Sequence, residues 1–151
     1  MLAVLALFVG ACTRIPPAPL PETRNMAYDL LTENGKLGAS MILLTLVDDS
    51  IYLKLDSAEV TGLDAAIKTW ADVAKGAGIT TVRHKIVTSR LEGRMLTDSG
   101  EVQFTIVDRV TNVPRDTSLS FFAIWNAKKP GWRLGLEQMT PHGKRPTTPS
   151  K

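Results

Sequence analysis

The spacing of apolar positions changes character about half-way along the chain. In "TGLDAAIKTWADVAKGAG", Leu63, Ile67, Trp70 and Ala74 recur every three or four residues, which predicts an amphipathic helix. Thr61 with Asp64 three residues on reads as a capping-box start, and Gly76 and Gly78 as its end. Upstream, Met26, Leu30 and Leu31 in "RNMAYDLLTENG" predict a helix closing at Asn34–Gly35. Between the two, Leu37, Met41 and Leu44 suit a helix ending at Asp48–Asp49, with Ile51, Leu53 and Leu55 alternating as a strand. A hairpin turning at Asp48–Asp49–Ser50 fits the same letters, and periodicity alone does not choose.

After Ile79 the period drops to two. "ITTVRHKIVTSRLEGRML" reads as a long strand, followed by a turn at Asp98–Ser99–Gly100. "EVQFTIVDRV", "SLSFFAIW" and "GWRLGLEQM" follow as three more strands, the last two joined through Lys129–Pro130–Gly131. In the final strand Trp132, Leu134 and Leu136 share one face, opposed by Arg133 and Glu137. Ile86 beside Val87 predicts a bulge that exchanges faces. Helices first and short-linked strands afterwards predict an α+β domain over residues 23–140: N-terminal helices packed on a curved antiparallel sheet.

Composition narrows the class of function. The chain has 151 residues, 44% hydrophobic and 22% charged, within the size of one domain. Its net charge of +3 resides in the basic tail, residues 141–151, which holds Lys144, Arg145 and Lys151 and no acid. The rest is neutral, which argues against a nucleic-acid partner. Two distant histidines and a single cysteine offer no metal-ligand spacing, and no phosphate-loop, dinucleotide or nucleophile-turn motif is present, so no cofactor is expected.

The cysteine stands at the end of a different pattern. Leu2 to Val9 are eight apolar residues, too few to span a bilayer but suited to a secretory leader. Val9-Gly10-Ala11-Cys12 resembles a bacterial lipobox. That resemblance implies a leader of residues 1–11 removed before Cys12, and acylation of its thiol with palmitate-type chains. It also implies a membrane-anchored lipoprotein of the cell envelope. Thr13, where an Asp would retain the protein in the inner membrane, favours the outer membrane in a Gram-negative host. Residues 12–22, with four prolines in "TRIPPAPLPET", read as the lipidated cysteine and its extended tether.

A second resemblance covers residues 26–139. "LVDDSIYLKLDSAEVTGLDAAIKTWADVA" and the closing "GWRLGLEQM" resemble nuclear transport factor 2-like (SnoaL-like) domains, on Asp48–Asp49, Ile51 to Leu55, Gly62-Leu63-Asp64-Ala65 and the Gly-Trp-Arg strand. It implies a cone-shaped fold with a pocket at its mouth or interior, and it favours the helical reading of residues 37–48. Isomerase-like members use a carboxylate base and a helix tyrosine. Tyr28 matches the tyrosine, whereas the base position falls on Lys54, with Asp56 two residues away. His84 shares strand parity with Val82 and Ile86 and so faces the interior, where an imidazole can act as acid or base or sit as a satisfied core residue.

The catalytic candidates are thus His84, Tyr28 and Asp56, and the pocket candidates Trp70, His84, Phe104 and Trp125. Of the adjacent Phe121 and Phe122, one is expected to face outward, where a protein partner or second copy would meet the sheet. Two functions follow: a non-catalytic envelope lipoprotein whose cone binds a protein partner or small apolar ligand, or a SnoaL-like isomerase, dehydratase or hydrolase acting on a small apolar substrate.

Overall fold

The computed structural model describes residues 15–33, 39–56 and 58–142. The expected leader, residues 1–11, Cys12 and the tail beyond His142 lie outside the described residues. Helix α1 (Pro21–Glu33) and helix α2 (Ala39–Leu46) lead into strand β1 (Val47–Leu55), a short β2 (Ala58–Thr61) and helix α3 (Leu63–Ala77). Four long strands complete the chain: β3 (Ile79–Glu92), β4 (Met95–Val107), β5 (Pro114–Lys128) and β6 (Gly131–Thr140). They form one six-stranded sheet in the order β2-β1-β6-β5-β4-β3, antiparallel except where β1 runs parallel to β6. Helices α1 and α3 cover its concave face, as the α+β reading expects. Among the described residues no helix is long and apolar enough to cross a membrane.

Helix α3 has the predicted stripe, with Leu63, Ala66 and Trp70 buried. Its start differs from the expected capping box. The N-cap is Gly62, at φ +104, and no side chain caps the helix. Gly62 takes this position because its N–H reaches Ile51 O at 2.8 Å through a turn that disfavours a side chain. The helix ends at Gly78 in the left-handed region, where an added Cβ would stand 2.5 Å from Val107 O.

The helix before β1 exists, but it turns Leu43 inward and leaves Met41 and Leu44 exposed. Its chain passes directly into β1, so Asp48–Asp49 belong to the strand. Helix α1 begins at Pro21, two residues ahead of the expected domain start, because proline lacks only an N–H that the first helical turn leaves unpaired. Two of the residues before it touch the fold. Trp132 Nε1 donates to Pro16 O at 2.8 Å, and Arg24 donates to Pro19 O.

The turn expected at Asp98–Ser99–Gly100 is strand interior. The chain reverses instead at Gly93, φ +58, and Arg94, so β3 ends at Glu92 and β4 begins at Met95. Two bulges then decide which side chains face the helices. Val87 is the extra residue between the pairs Ile86–Gly100 and Thr88–Ser99, and it projects to solvent. Gly135 is the extra residue between Leu134–Trp125 and Leu136–Ile124. Parity changes there, so Trp132 and Leu134 face inward before it and Glu137 and Met139 after it. Glu137 is therefore wholly buried, contrary to the face that simple alternation assigns it.

Candidate functional site

The concave face holds two regions of opposite character, a polar cluster under α1 and an apolar cavity at the wide end. The cluster is built from one cross-strand row. Glu137, Ala123, Asp98 and Ser89 are successive register partners across β6, β5, β4 and β3. Above that row α1 presents Arg24 and Tyr28, one helical turn apart, with Asp29 beside them.

Arg24 meets Asp98 as a fork, Nε to Oδ2 at 2.7 Å and Nη2 to Oδ1 at 3.0 Å, with the two side chains 4% and 0% exposed. Ser89 donates to Asp98 Oδ1 at 2.6 Å and accepts from Arg24 Nη2 at 2.8 Å. The Tyr28 hydroxyl donates to Asp98 Oδ2 at 2.6 Å and accepts the indole N–H of Trp125. Burial, and then the neighbouring Asp98 carboxylate, raise the Tyr28 pKa well above that of a free phenol. Its proton is committed to Asp98, and both oxygens of Asp98 are filled by protein donors.

His84 forms the second half. Its backbone N–H and its Nδ1 each lie 2.8 Å from Asp29 Oδ1. Because β3 is an edge strand, Asp29 takes an N–H that the sheet leaves open. An ionised carboxylate only accepts, so Nδ1 carries the proton. Nε2 faces Glu137 Oε1 at 3.2 Å, an ion-pair distance with angles short of a hydrogen bond. The histidine side chain is 0% exposed, and its ring packs against Tyr28 and Phe121 at centroid distances of 5.4 and 5.1 Å. Burial alone would lower its pKa. The hydrogen bond to Asp29 and the contact and charge of Glu137 outweigh that and raise it above the usual histidine value.

The cavity, about 340 Å³, opens at the other end of the strands and is lined by Leu55, Trp70, Val73, Phe104, Leu119 and Met139, among others. Among the described residues, Asp56 and Thr117 are the polar ones that line it. Met139 and Phe121 occupy the row between this space and the row of Glu137 and Asp98. None of Arg24, Tyr28, Asp29, His84, Asp98 or Glu137 lines it. A second concavity of about 340 Å³ lies on the outer face of the sheet and is polar, with Arg83, Gln103, Asp116 and Ser118 along it.

Each sequence-stated candidate therefore has a definite place. Trp70 and Phe104 line the cavity, their rings 6.4 Å apart. Trp125 and His84 belong to the sealed cluster, as does Tyr28. Asp56 sits in the turn after β1 at φ +38, on the cavity rim and exposed, with no hydrogen bond to any catalytic candidate. Lys54 points to the outer face and pairs with Glu59. Phe121 is buried and Phe122 half-buried on the opposite face. Sequence reasoning missed Arg24, Asp29, Asp98 and Glu137. Only Arg24 left a periodic trace, four residues before Tyr28. Among the described residues, no three His, Cys, Asp or Glu side chains are grouped to hold a metal ion.

No protein-family model matches the chain, and no curated protein matches it in sequence. Solved structures do match. A nuclear transport factor 2-like superfamily protein from Salmonella enterica serovar Typhimurium LT2 is 12% identical, with 86% of this chain and 93% of that one covered at a TM-score of 0.63. A nuclear transport factor 2-like protein of unknown function from Exiguobacterium sp. 255-15 is 17% identical, with 81% and 99% covered at 0.57. A ketosteroid isomerase-like protein from Shewanella frigidimarina NCIMB 400 is 12% identical, with 78% and 90% covered at 0.55. At these identities the likeness is one of fold.

Proposed function

On this nuclear transport factor 2-like fold, we propose that the protein binds a small apolar ligand in the cone's wide end and does no chemistry there. The observation that carries the reading is the division of the interior. The open space is apolar, with Trp70 and Phe104 in its walls, whereas none of the cluster's ionisable groups lines it, and Arg24, Tyr28, Asp98 and the Nδ1 of His84 are occupied by protein partners. Pockets that bury apolar ligands combine such walls with few polar groups, and Asp56 and Thr117 fill that role at the rim. A general acid or base must reach its substrate within hydrogen-bonding distance, and neither His84 nor Tyr28 lines the cavity.

The same proposal places the domain on the cell envelope through acylated Cys12, in the outer membrane of a Gram-negative host. It reserves the outer sheet face, where Phe122 and Ile124 neighbour Leu136 and Tyr52, for a protein partner or second copy. The test is mass spectrometry of the mature protein and of an organic extract from it. The expected result is diacylglycerol and acyl mass on Cys12 and one apolar compound released in near-stoichiometric amount. A chain of unmodified mass, released from membranes and empty of ligand, contradicts the reading.

The enzyme reading draws on one observation: two buried carboxylates and a histidine do converge inside the cone, and both oxygens of Glu137 lack a hydrogen-bond partner. It requires that Met139 or Phe121 swing aside to admit substrate. Turnover that vanishes in Glu137→Gln while the fold is intact would favour it.

A further inference from the structure

The narrow end of the cone gathers features that the ligand cavity does not explain. The β5–β6 turn, the start of β1 and helix α2 meet there around a cleft of about 210 Å³ lined by Leu44, Asp48, Asp49, Lys128, Lys129 and Arg133, among others. Arg94 is drawn to the same end by its bond to Ala127 O at 2.8 Å. Three cations thus line the cleft against two acids, with Arg94 nearby and the adjacent Glu92 taken up by Arg90. Asp48 is already paired with Lys128, and that bond holds its carboxyl down at about 2. Lys129, Arg133 and Arg94 form no ion pair among the described residues. Beside the cleft, α2 exposes apolar surface: Met41 is 71% and Leu44 52% exposed. Apolar side chains flanked by unpaired cations make a surface that suits an anionic membrane interface.

The N-terminal segment fixes which way this end points. Pro16 is bonded to Trp132, whose strand neighbours are Gly131 and Arg133, so the chain enters the fold at the narrow end. Pro16 follows Cys12 by four positions, and fully extended that stretch spans at most about 14 Å. Thr117 at the cavity rim lies eleven residues along β5 from Lys128, about 36 Å of strand. An acyl chain on Cys12 can therefore reach the bilayer at the narrow end and not at the wide one. We infer that the domain lies directly against an anionic phospholipid surface, with α2 and the β5–β6 turn toward the headgroups and the ligand cavity opening away from the membrane. This rests on the proposed acylation of Cys12.

The experiment is hydrogen exchange on the mature protein, purified from membranes, in phosphatidylglycerol–phosphatidylethanolamine vesicles and again in neutral detergent. Intact mass is recorded on the same sample. Acylated mass, with exchange in α2 and the β5–β6 turn slowed at least roughly threefold by vesicles and residues 108–113 unchanged, is the expected result. Lys129→Glu, an exposed change outside the cavity and the core, should remove most of that slowing, since each cation near an anionic surface contributes roughly fivefold in partitioning. Acylated protein that is protected at residues 108–113, or nowhere, overturns the orientation while the anchor stands. Unmodified mass shows that the anchor reading has failed, and the orientation falls with it.

Discussion

Asp98 and Glu137 are both register partners of Ala123, one on each side, so two wholly buried carboxylates share one row of the sheet with a methyl group between them. Each meets a different partner. Asp98 takes the Arg24 fork, and Glu137 faces His84, whose other nitrogen is held by Asp29. Small Ala123 leaves room for both sets of partners.

Breaking the first pair leaves an unpaired buried guanidinium. Asp98→Asn is expected to destabilise the domain by about 3–5 kcal/mol in urea unfolding. Because the two groups act as a unit, Arg24→Met combined with Asp98→Asn should cost less than the sum of the single changes, with a coupling of about 1–3 kcal/mol. Strict additivity would show that the fork is not the source of the loss.

The second pair ties stability to pH. The folded-state pKa of His84 is raised, so the stability it contributes is complete below the unfolded value of about 6.5 and is lost as pH rises through the folded value. The urea midpoint should therefore fall between about pH 6 and pH 8, and His84→Gln should flatten that slope. A slope of opposite sign would mean that burial prevails and the ring is held neutral.

Gly100 lies beside the Val87 bulge, where a Cβ would stand 2.0 Å from Lys85 O and 2.9 Å from the Phe121 ring. That ring is the one packed on both Tyr28 and His84. Gly100→Ala must shift backbone and ring together, and should lower stability by about 1–3 kcal/mol in thermal unfolding. An unchanged melting temperature would show that the close approach has slack.

Trp70 is 2% exposed and forms a wall of the cavity. Truncation to Ala is expected to cost about 3–5 kcal/mol, a large share of the stability of a domain this size. A denaturation midpoint that does not move would remove Trp70 from the core.

The elements were legible where one face is simply apolar. The stripe of α3 and the alternation of β4 and β5 follow from burial against helices, and adjacent Ile86 and Val87 announced their bulge. The polar cluster was not legible, for two physical reasons. Asp-Ser-Gly is turn chemistry in isolation, yet Gly100 serves close packing inside a strand, and the reversal uses Gly93. Glu137 was assigned outward because alternation was continued through Gly135, and a glycine bulge leaves no hydrophobic mismatch to reveal it. Arg24 and Asp29 are ordinary surface letters on a helix, and only the carboxylate and imidazole beneath them explain their burial and pairing.

The most direct test of the central claim, an apolar binding cavity separate from a sealed ionic cluster, is titration with the neutral apolar fluorophore N-phenyl-1-naphthylamine. Wild type, Leu119→Trp and His84→Gln are compared under conditions where all three are folded. Leu119→Trp fills the cavity and should weaken binding at least roughly tenfold, about 1.4 kcal/mol, whereas His84→Gln should stay within about twofold of wild type. Binding that survives the filled cavity, or that is lost with the histidine, would contradict it.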